Sequence, residues 1–393
     1  MHTPPASEGH IPFNRPPLVG TEQAYIAEAI ARGQLSAGGM FTERCCNWLQ
    51  ARTQTRKALL VHSATAALEM AALLLEIEPG DEVVMPSFNF VSAANAVVLR
   101  GGTPVFVDVR RDTLNLDESL VEAAITPRTK AVLPIHYAGV PCEMDSINAI
   151  AAHHGIAVIE DTAQALGSTY RGRPAGSLGQ LAAVSFHETK NVTSGEGGAL
   201  LVNRVELIQR AEIFRDKGTD RSRFFRNEVD KYSWVDLGSS YGLSELNAAF
   251  LWAQLEVAEH LNADRLRTWW LYHEALEPLE EAGFLRRPVI PEHIQHNGHI
   301  YYVLVASAYE RDRLLGEFNS ADINAVFHYV PLHDSVAGRR YGRPHGRLST
   351  TDEVARRVIR LPLFSGMSEA QILRIVDSLV GALKASSRAS AAV

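Results

Sequence analysis

The stretch ALLVHSATAALEMAALLLEIEPGDEVVMPSFNFVSAANAVVLRGGTPVFVDV, residues 58–109, alternates short apolar runs with longer amphipathic segments. Apolar runs bounded by glycine, proline and aspartate predict buried strands, and the segments between them predict crossover helices. This order of elements is typical of an α/β fold, in which helices cover both faces of a mainly parallel, doubly wound sheet.

The alternation continues towards the C-terminus with KAVLPIHY (130–137), MDSINAIAAHHG (144–155) and IAVIEDTA (156–163). LAAVSFH (181–187) and GALLVN (198–203) predict an antiparallel addition to the sheet. A long helical stretch from about residue 243, then HIYYVLV (299–305), INAVFHYVP (323–331) and a final helix, predict a smaller α+β domain. We therefore expect a large domain over residues 1–255, which includes the N-terminal segment, and a small C-terminal domain over 256–393.

Composition narrows the class of protein. The 393 residues have a formal net charge of -7 and no block of like charges, which argues against nucleic-acid or anionic-membrane partners. Apolar stretches are shorter than a membrane span, and the start of the chain has no signal-peptide pattern. Three cysteines, Cys45, Cys46 and Cys142, fit a reducing compartment. We expect a cytoplasmic protein with small-molecule partners.

Several polar residues follow predicted strands and should meet at one edge of the sheet. Asp161 ends one strand, Ser185 and Lys190 follow another, and HSATAA (62–67) leads from a strand into a helix. Ligands of such sheets lie at the carboxyl ends of the strands. A lysine that forms an imine, a carboxylate for a pyridine nitrogen and a helix N-terminus for a phosphate are the parts of a pyridoxal phosphate site. The alternative is a surface lysine, a strand-end aspartate and an ordinary capped helix.

Two further patterns have simpler explanations. Residues 215–231 mix basic and acidic side chains, which is usual for a solvated loop. His293, His296 and His299 recur at intervals of three, but the glycine among them and the strand that follows argue against one helical face. We therefore predict no metal site.

The sequence resembles a known family. SFHETKN (185–191), SGEGGAL (194–200), IEDTAQALGS (159–168) and PIHYAG (134–139) are similar to motifs of the DegT/DnrJ/EryC1/StrS sugar aminotransferases, and the resemblance covers roughly residues 11–380. It implies a fold-type I pyridoxal-phosphate-dependent transferase and a homodimer with shared active sites. It also implies L-glutamate as amino donor and a nucleotide-linked keto-deoxysugar as acceptor.

The resemblance also implies roles for particular residues. Lys190 matches the lysine that binds the cofactor as an imine and then acts as general base. Asp161 matches the carboxylate at the pyridine nitrogen, Gln164 the contact to the ring hydroxyl, and Phe90 the aromatic ring that stacks on the cofactor. The implied phosphate contacts are Thr65, Ala66 and Ser185, and the implied substrate contacts are Lys217, Arg221, Arg226, His328 and His333.

One departure and three alternatives remain. Gly242 stands where we expect relatives to have an asparagine that reaches the partner's phosphate site, and Ser239, Ser240 or Tyr241 could replace it. The acceptor could be a 3-keto isomer or another nucleotide sugar. A dehydratase of the same fold is disfavoured because such relatives have histidine in place of Lys190. A non-catalytic binding or regulatory protein is the alternative of another class.

Overall fold

The computed structural model describes residues 9–391. Its fourteen strands, within those residues, are β1 Lys57–Val61, β2 Glu82–Pro86, β3 Thr103–Val107, β4 Thr129–Val132, β5 Ala157–Asp161, β6 Thr169–Tyr170, β7 Arg173–Pro174, β8 Leu181–Ser185, β9 Gly198–Val202, β10 Leu285–Arg286, β11 Ile294–Gln295, β12 Tyr301–Val305, β13 Arg343–Pro344 and β14 Val358–Leu361.

The α-helices of the same residues are α1 Glu22–Ala31, α2 Met40–Thr53, α3 Ala64–Leu74, α4 Val91–Val98, α5 Val121–Ala124, α6 Met144–His154, α7 Ile208–Arg215, α8 Arg221–Phe225, α9 Glu245–Glu256, α10 Ala258–Ala275, α11 Glu277–Glu281, α12 Ala308–Ser320, α13 Val336–Tyr341, α14 Ser349–Arg357 and α15 Glu369–Ala391. None of these helices is both long and apolar enough to cross a membrane.

Eight strands form the main sheet in the order β1-β9-β8-β5-β4-β2-β3-β13. Pairs from β8 through β5, β4, β2 and β3 to β13 are parallel, whereas β9 pairs antiparallel with both β1 and β8. The predicted α/β class, the mainly parallel sheet and the antiparallel addition are confirmed.

Both faces of the main sheet are buried, as its continuous apolar strands predict. Along β1, Leu59 and Val61 pack into the cluster that includes α3 and α4, whereas Ala58 and Leu60 pack into the cluster that includes α2 and α9. Successive side chains of a strand point to opposite faces, so each strand contributes to both layers. The sheet is therefore a rigid support for the residues at its carboxyl edge.

A smaller antiparallel sheet, β10-β12-β14, lies in a separate hydrophobic cluster with α10, α12 and α15. The N-terminal segment belongs to this cluster, because Ile11 is buried there and forms a β-bridge with Ile323. Strand β13, by contrast, comes late in the chain but pairs with β3 of the main sheet. The division of the chain at residue 255 stays a prediction.

Three elements differ from their prediction. Residues 186–197 connect β8 to β9 as a long loop rather than a turn, and Lys190 lies in this loop. The long helical stretch is divided into α9, α10 and α11, with breaks at Val257 and Leu276. Residues 323–331 form only isolated bridges, Ile323 with Ile11 and Val326 with Arg360 of β14.

Candidate active site

A cavity of about 340 Å³ opens at the carboxyl edge of the main sheet. Its position follows from the topology, because β1, β2, β5 and β8 all end there before their connections begin. Most of the residues predicted for cofactor binding line it, together with residues from the C-terminal part of the chain. The lining includes Phe13, Ser63, Ala64, Thr65, Asn89, Phe90, Asp161, Gln164, Ser185, His187, Lys190, His299, Tyr329 and Arg360.

The loop that bears Lys190 is fixed by its neighbour Asn191. The Asn191 side chain is buried, and its Nδ2 donates to Asn262 Oδ1 at 2.8 Å and to the Asn297 carbonyl at 2.9 Å. Its Oδ1 lies 2.8 Å from His299 Nδ1. These bonds hold the backbone next to Lys190 against α10 and the segment before β12, so the lysine enters the cavity from a rigid support.

Lys190 and Asp161 influence each other electrostatically. Burial lowers the pKa of Lys190 to about 8, the negative charge of Asp161 opposes this shift, and the positive charges of Arg360 and Arg265 add to it. Burial raises the pKa of the Asp161 carboxyl, which the Ala163 N–H and the charge of Lys190 oppose. A lysine with this pKa is partly neutral near pH 7, as a nucleophile or a general base requires.

The first turn of α3 forms one wall of the cavity. Ser63 is the N-cap, and its Oγ accepts the Ala66 N–H at 3.1 Å. Ala64 and Thr65 line the cavity at this helix end, where the first N–H groups have no partner within the helix. A helix N-terminus in this position suits a phosphate. The Ala66 N–H is bonded to this cap and Ala66 does not line the cavity, so its role as a phosphate contact stays a prediction.

Thr65 and Ser185 complete the polar end of the cavity. Thr65 Oγ1 lies 2.7 Å from Ser92 Oγ, and Ser185 ends β8 with its hydroxyl 3.4 Å from the His187 N–H. Both line the cavity beside the helix end. Hydroxyl groups next to free helix N–H groups add donors for the same phosphate.

Gln164 and Phe90 lie where a flat ring would be held. Gln164 Oε1 accepts the Ala138 N–H at 2.8 Å, which fixes the amide and leaves Nε2 as the donor end. The Phe90 side chain is half exposed at the start of α4, with its ring centroid 5.7 Å from that of Tyr329. Asp161 lines the same cavity as Gln164 and Phe90.

The residues present fit pyridoxal phosphate. An amine, a carboxylate with only one oxygen bonded to the described residues, a free helix N-terminus and an exposed aromatic ring share one cavity. Asn89 Nδ2 is buried beside them without a hydrogen-bond partner. This donor set matches, group by group, the aldehyde, ring nitrogen, phosphate and ring face of the cofactor. The individual roles of these residues stay predictions.

The predicted substrate residues are not brought together in this cavity. His328 is buried with its Nδ1 3.2 Å from the Tyr137 hydroxyl, and burial lowers its pKa well below the usual value. His333 lies between Ser87 Oγ at 2.7 Å and Asp352 at 3.3 Å.

The basic residues of the segment 215–231 are paired with acids of the same region. Arg226 contacts Glu212 at 2.8 Å and Glu228 at 2.7 Å. Lys217 and Arg221 lie 3.3 Å and 3.9 Å from Asp216. None of these three basic residues lines the cavity that contains Lys190. Their assignment to the substrate stays a prediction.

The three evenly spaced histidines have separate surroundings. His293 lies 3.0 Å from Glu143, His296 packs against Trp269 with centroids 4.4 Å apart, and His299 reaches Asn191. Only His299 lines the cavity.

Sequence reasoning missed several residues that line the cavity. Asn89 precedes Phe90 in the stretch PSFNF (86–90) and could have been found there, because it also follows β2. Phe13, Tyr329 and Arg360 come from segments far from the predicted site, and no local pattern marks them.

The fold and this cavity define a pyridoxal-phosphate-dependent transferase. Residues 17–380 match the model of the DegT/DnrJ/EryC1/StrS aminotransferase family. The chain belongs to this family, and it is therefore a pyridoxal-phosphate-dependent sugar aminotransferase, as the sequence resemblance predicts.

Solved structures agree with this assignment. DesV from S. venezuelae is 32% identical, with a TM-score of 0.86 over 95% of this chain and 98% of that chain. Spr1654 from Streptococcus pneumoniae, described as a sugar aminotransferase and solved in its PLP form, is 27% identical, with a TM-score of 0.87 over 95% and 99%. The aminotransferase TlmJ from Streptoalloteichus hindustanus is 28% identical, with a TM-score of 0.87 over 96% and 100%.

Proposed function

We propose that this aminotransferase converts dTDP-4-keto-6-deoxy-D-glucose to dTDP-4-amino-4,6-dideoxy-D-galactose, with L-glutamate as amino donor. The observation that supports this substrate is the segment RDKGTDRSRFFRNEVDKYSWVDLGSSY, residues 215–241. It resembles the corresponding segment of the dTDP-4-amino-4,6-dideoxygalactose transaminase of enterobacterial common antigen synthesis. A role in polysaccharide biosynthesis is part of this proposal.

Bound pyridoxal phosphate supplies an aldehyde that carries the amino group from one substrate to the other and a ring that accepts electrons from the reacting carbon. In our proposal Lys190 Nζ would take the proton from the carbon that bears the amino group and deliver it to the cofactor carbon in the donor half-reaction, and would move a proton in the opposite direction in the acceptor half-reaction. Its pKa of about 8 lets one group do both, because the neutral and charged forms are both populated near neutral pH. Asp161 holds a proton on the ring nitrogen.

We also propose that the enzyme is a homodimer whose active sites are shared. The segment that follows α7 exposes apolar side chains, among them Phe225 at 65%, Trp234 at 80% and Leu237 at 52%. Large exposed apolar groups close together in one segment mark an interaction surface. In our proposal a second copy of the chain covers this surface. Lys217, Arg221 and Arg226 of one copy would then lie close to the cavity of the other copy. Mass measurement by light scattering tests the dimer.

The three free cysteines, two of them buried, agree with the cytoplasmic location that we propose. The measurement that tests the location is fractionation of cells that express the full-length protein.

The substrate is tested by kcat/KM for the 4-keto and 3-keto dTDP sugars and for a UDP 4-keto sugar, followed by NMR of the product. We expect a strong preference for the 4-keto over the 3-keto sugar, because moving the carbonyl misplaces the reacting carbon. Discrimination between dTDP and UDP sugars should be weaker, because the nucleobase is far from the reacting carbon. A preference for the 3-keto isomer, or an equatorial amine at C4, would refute the substrate. Lys190→Ala is the matched inactive control.

A further inference from the structure

A second cavity, with a volume of about 570 Å³, is lined mainly by α10 and by residues 290–297. Asn262, Leu266 and Trp270 line it from α10, where residues four apart share one face of the helix. Among the described residues, none lines both this second cavity and the one that contains Lys190. The second cavity is therefore a site of its own, and its volume is typical of small-molecule pockets.

Trp270 gives the second cavity an aromatic wall. The residue is 47% exposed, and its ring centroid lies 4.9 Å from that of Trp269 and 5.5 Å from that of His273, both in edge-to-face contact. Trp269 is itself buried, and its Nε1 donates to the Ile300 carbonyl at 3.1 Å. Because buried neighbours hold the indole of Trp270, a ligand can pack on it with little further loss of side-chain freedom.

The charges of the second cavity cancel. Its two charged residues are Arg52 and Glu259, which face each other with Nη2 and Oε1 3.6 Å apart. His296, which also lines the second cavity, is neutral near pH 7 because burial lowers its pKa to about 4. A lining without net charge favours an uncharged ligand, since an ion would be attracted by one member of the pair and repelled by the other.

Polar groups of the second cavity offer donors and acceptors together. The Gly298 N–H donates to His296 Nδ1 at 3.3 Å, so His296 Nε2 carries the proton, and this buried Nε2 has no hydrogen-bond partner among the described residues. Asn262 uses its Oδ1 to accept from Asn191, which leaves its Nδ2 as a donor. The ion pair adds a further donor beside an acceptor. Hydroxyl groups both donate and accept, so a ligand that carries several of them matches this set.

We infer that the second cavity binds a neutral sugar ring. One face of a sugar ring presents C–H groups, whose hydrogens are attracted by the electron-rich face of an indole such as that of Trp270. Ile290 and Ile294 extend the apolar surface on the other wall. The hydroxyls stand around the edge of the sugar ring, where the amides and the ion pair can bind them. The inference does not depend on the proposed substrate, because the second cavity shares no residue with the cavity in which that substrate reacts.

The test is ¹⁹F NMR of the holoenzyme labelled with 5-fluorotryptophan, which gives one resonance for each of the five tryptophans. Trp270→Leu and Trp234→Leu assign the two resonances that matter. Trp234 is the matched control, because it is 80% exposed but does not line the second cavity. The probe is methyl β-D-galactopyranoside, which has neither a free carbonyl nor a phosphate and so cannot react at Lys190. Thymidine and glucose 6-phosphate are titrated for comparison.

We expect the galactoside to shift the Trp270 resonance saturably and to leave the Trp234 resonance in place. His296→Phe, which removes the donor but keeps the ring, should weaken binding about 10-fold, whereas His296→Gln, which keeps an N–H donor, should stay within about 3-fold of wild type.

Three results would overturn the inference. The first is no shift of the Trp270 resonance up to about 10 mM galactoside, tenfold above a millimolar dissociation constant. The second is an equal shift of the Trp234 resonance, which would show unspecific contact with exposed indoles. The third is saturation by thymidine or glucose 6-phosphate at a lower concentration than by the galactoside, which would assign a base or an anion instead. The wild-type titration decides the inference even if His296→Phe does not fold, and it is independent of whether the enzyme aminates the proposed keto sugar.

Discussion

The proton affinity of Lys190 can be predicted quantitatively from its surroundings. Its pKa of about 8 makes about 9% of the amine neutral at pH 7, about 300-fold more than an ordinary lysine with a pKa near 10.5. Because acylating reagents attack only the neutral amine, Lys190 in cofactor-free protein should react faster than an exposed lysine near pH 7. The rate should rise tenfold per pH unit below pH 8 and become constant above it.

The assay is brief labelling with acetic anhydride from pH 6 to pH 10, with peptide mass spectrometry of the digest. Lys231 is exposed and serves as the internal standard. Two variants should move the midpoint in opposite directions. Asp161→Asn removes a negative charge that raises the pKa of Lys190, so the midpoint should fall, whereas Arg360→Met removes a positive charge that lowers it, so the midpoint should rise. Arg340→Met is the control without a shift.

A labelling rate that still rises at pH 10 would refute the reasoning, because Lys190 would then titrate as an ordinary exposed amine. Shifts of the same sign in Asp161→Asn and Arg360→Met would also contradict it, since they would show that altered packing, not charge, controls the lysine.

Three further predictions concern the cofactor and the sheet. Lys190→Ala should lose the visible absorbance of bound cofactor and at least about 100-fold in turnover while its circular dichroism stays that of wild type; retention of both would exclude Lys190. Asp161→Asn should retain cofactor but lose most activity, and near wild-type rates would assign the ring nitrogen to another residue. Glu82 is buried, and although burial opposes it, hydrogen bonds from Arg343, Arg128 and Thr126 lower its pKa to about 2. This carboxylate should therefore contribute about 3 kcal/mol to the free energy of unfolding above pH 4.5, and this contribution should be lost as the pH falls towards 2. Glu82→Gln should remove the contribution, as measured by urea unfolding at pH 7. Equal stability of the variant and the wild type would contradict this prediction.

The central sheet could be predicted because its strands are buried on both faces and read as continuous apolar runs. The runs that became β1, β2, β3 and β4 are each followed by a helical pattern, and parallel order follows from that alternation. The short strand β13 was not predictable, because two residues, Arg343 and Pro344, have no periodicity. It joins the sheet through backbone pairing with β3 and through the contact of Arg343 with Glu82.

The part of the candidate site that lies at strand ends could also be predicted from the sequence. Asp161, Ser185 and Thr65 follow strands of the parallel sheet, so topology alone brings them to one edge. Lys190 is placed by a twelve-residue loop, and the bonds of Asn191 that fix this loop reach residues more than seventy positions away. Contacts of that range depend on how α10 and the segment before β12 pack against the loop, which no local pattern in one sequence records.

The residues that select the substrates are the hardest to predict from the sequence. A cofactor is held by backbone N–H groups and strand ends that the fold itself provides, whereas a substrate is held by side chains from whichever segment reaches the cavity. Arg360 reaches it from the small sheet and has no anion within the described chain. Arg226 does not reach it, and its acids Glu212 and Glu228 already neutralise it within its own region. Arg360 lines the cavity and has no ion pair, whereas Arg226 lies outside the cavity and is paired, so Arg360 is the stronger candidate for substrate binding in a single chain.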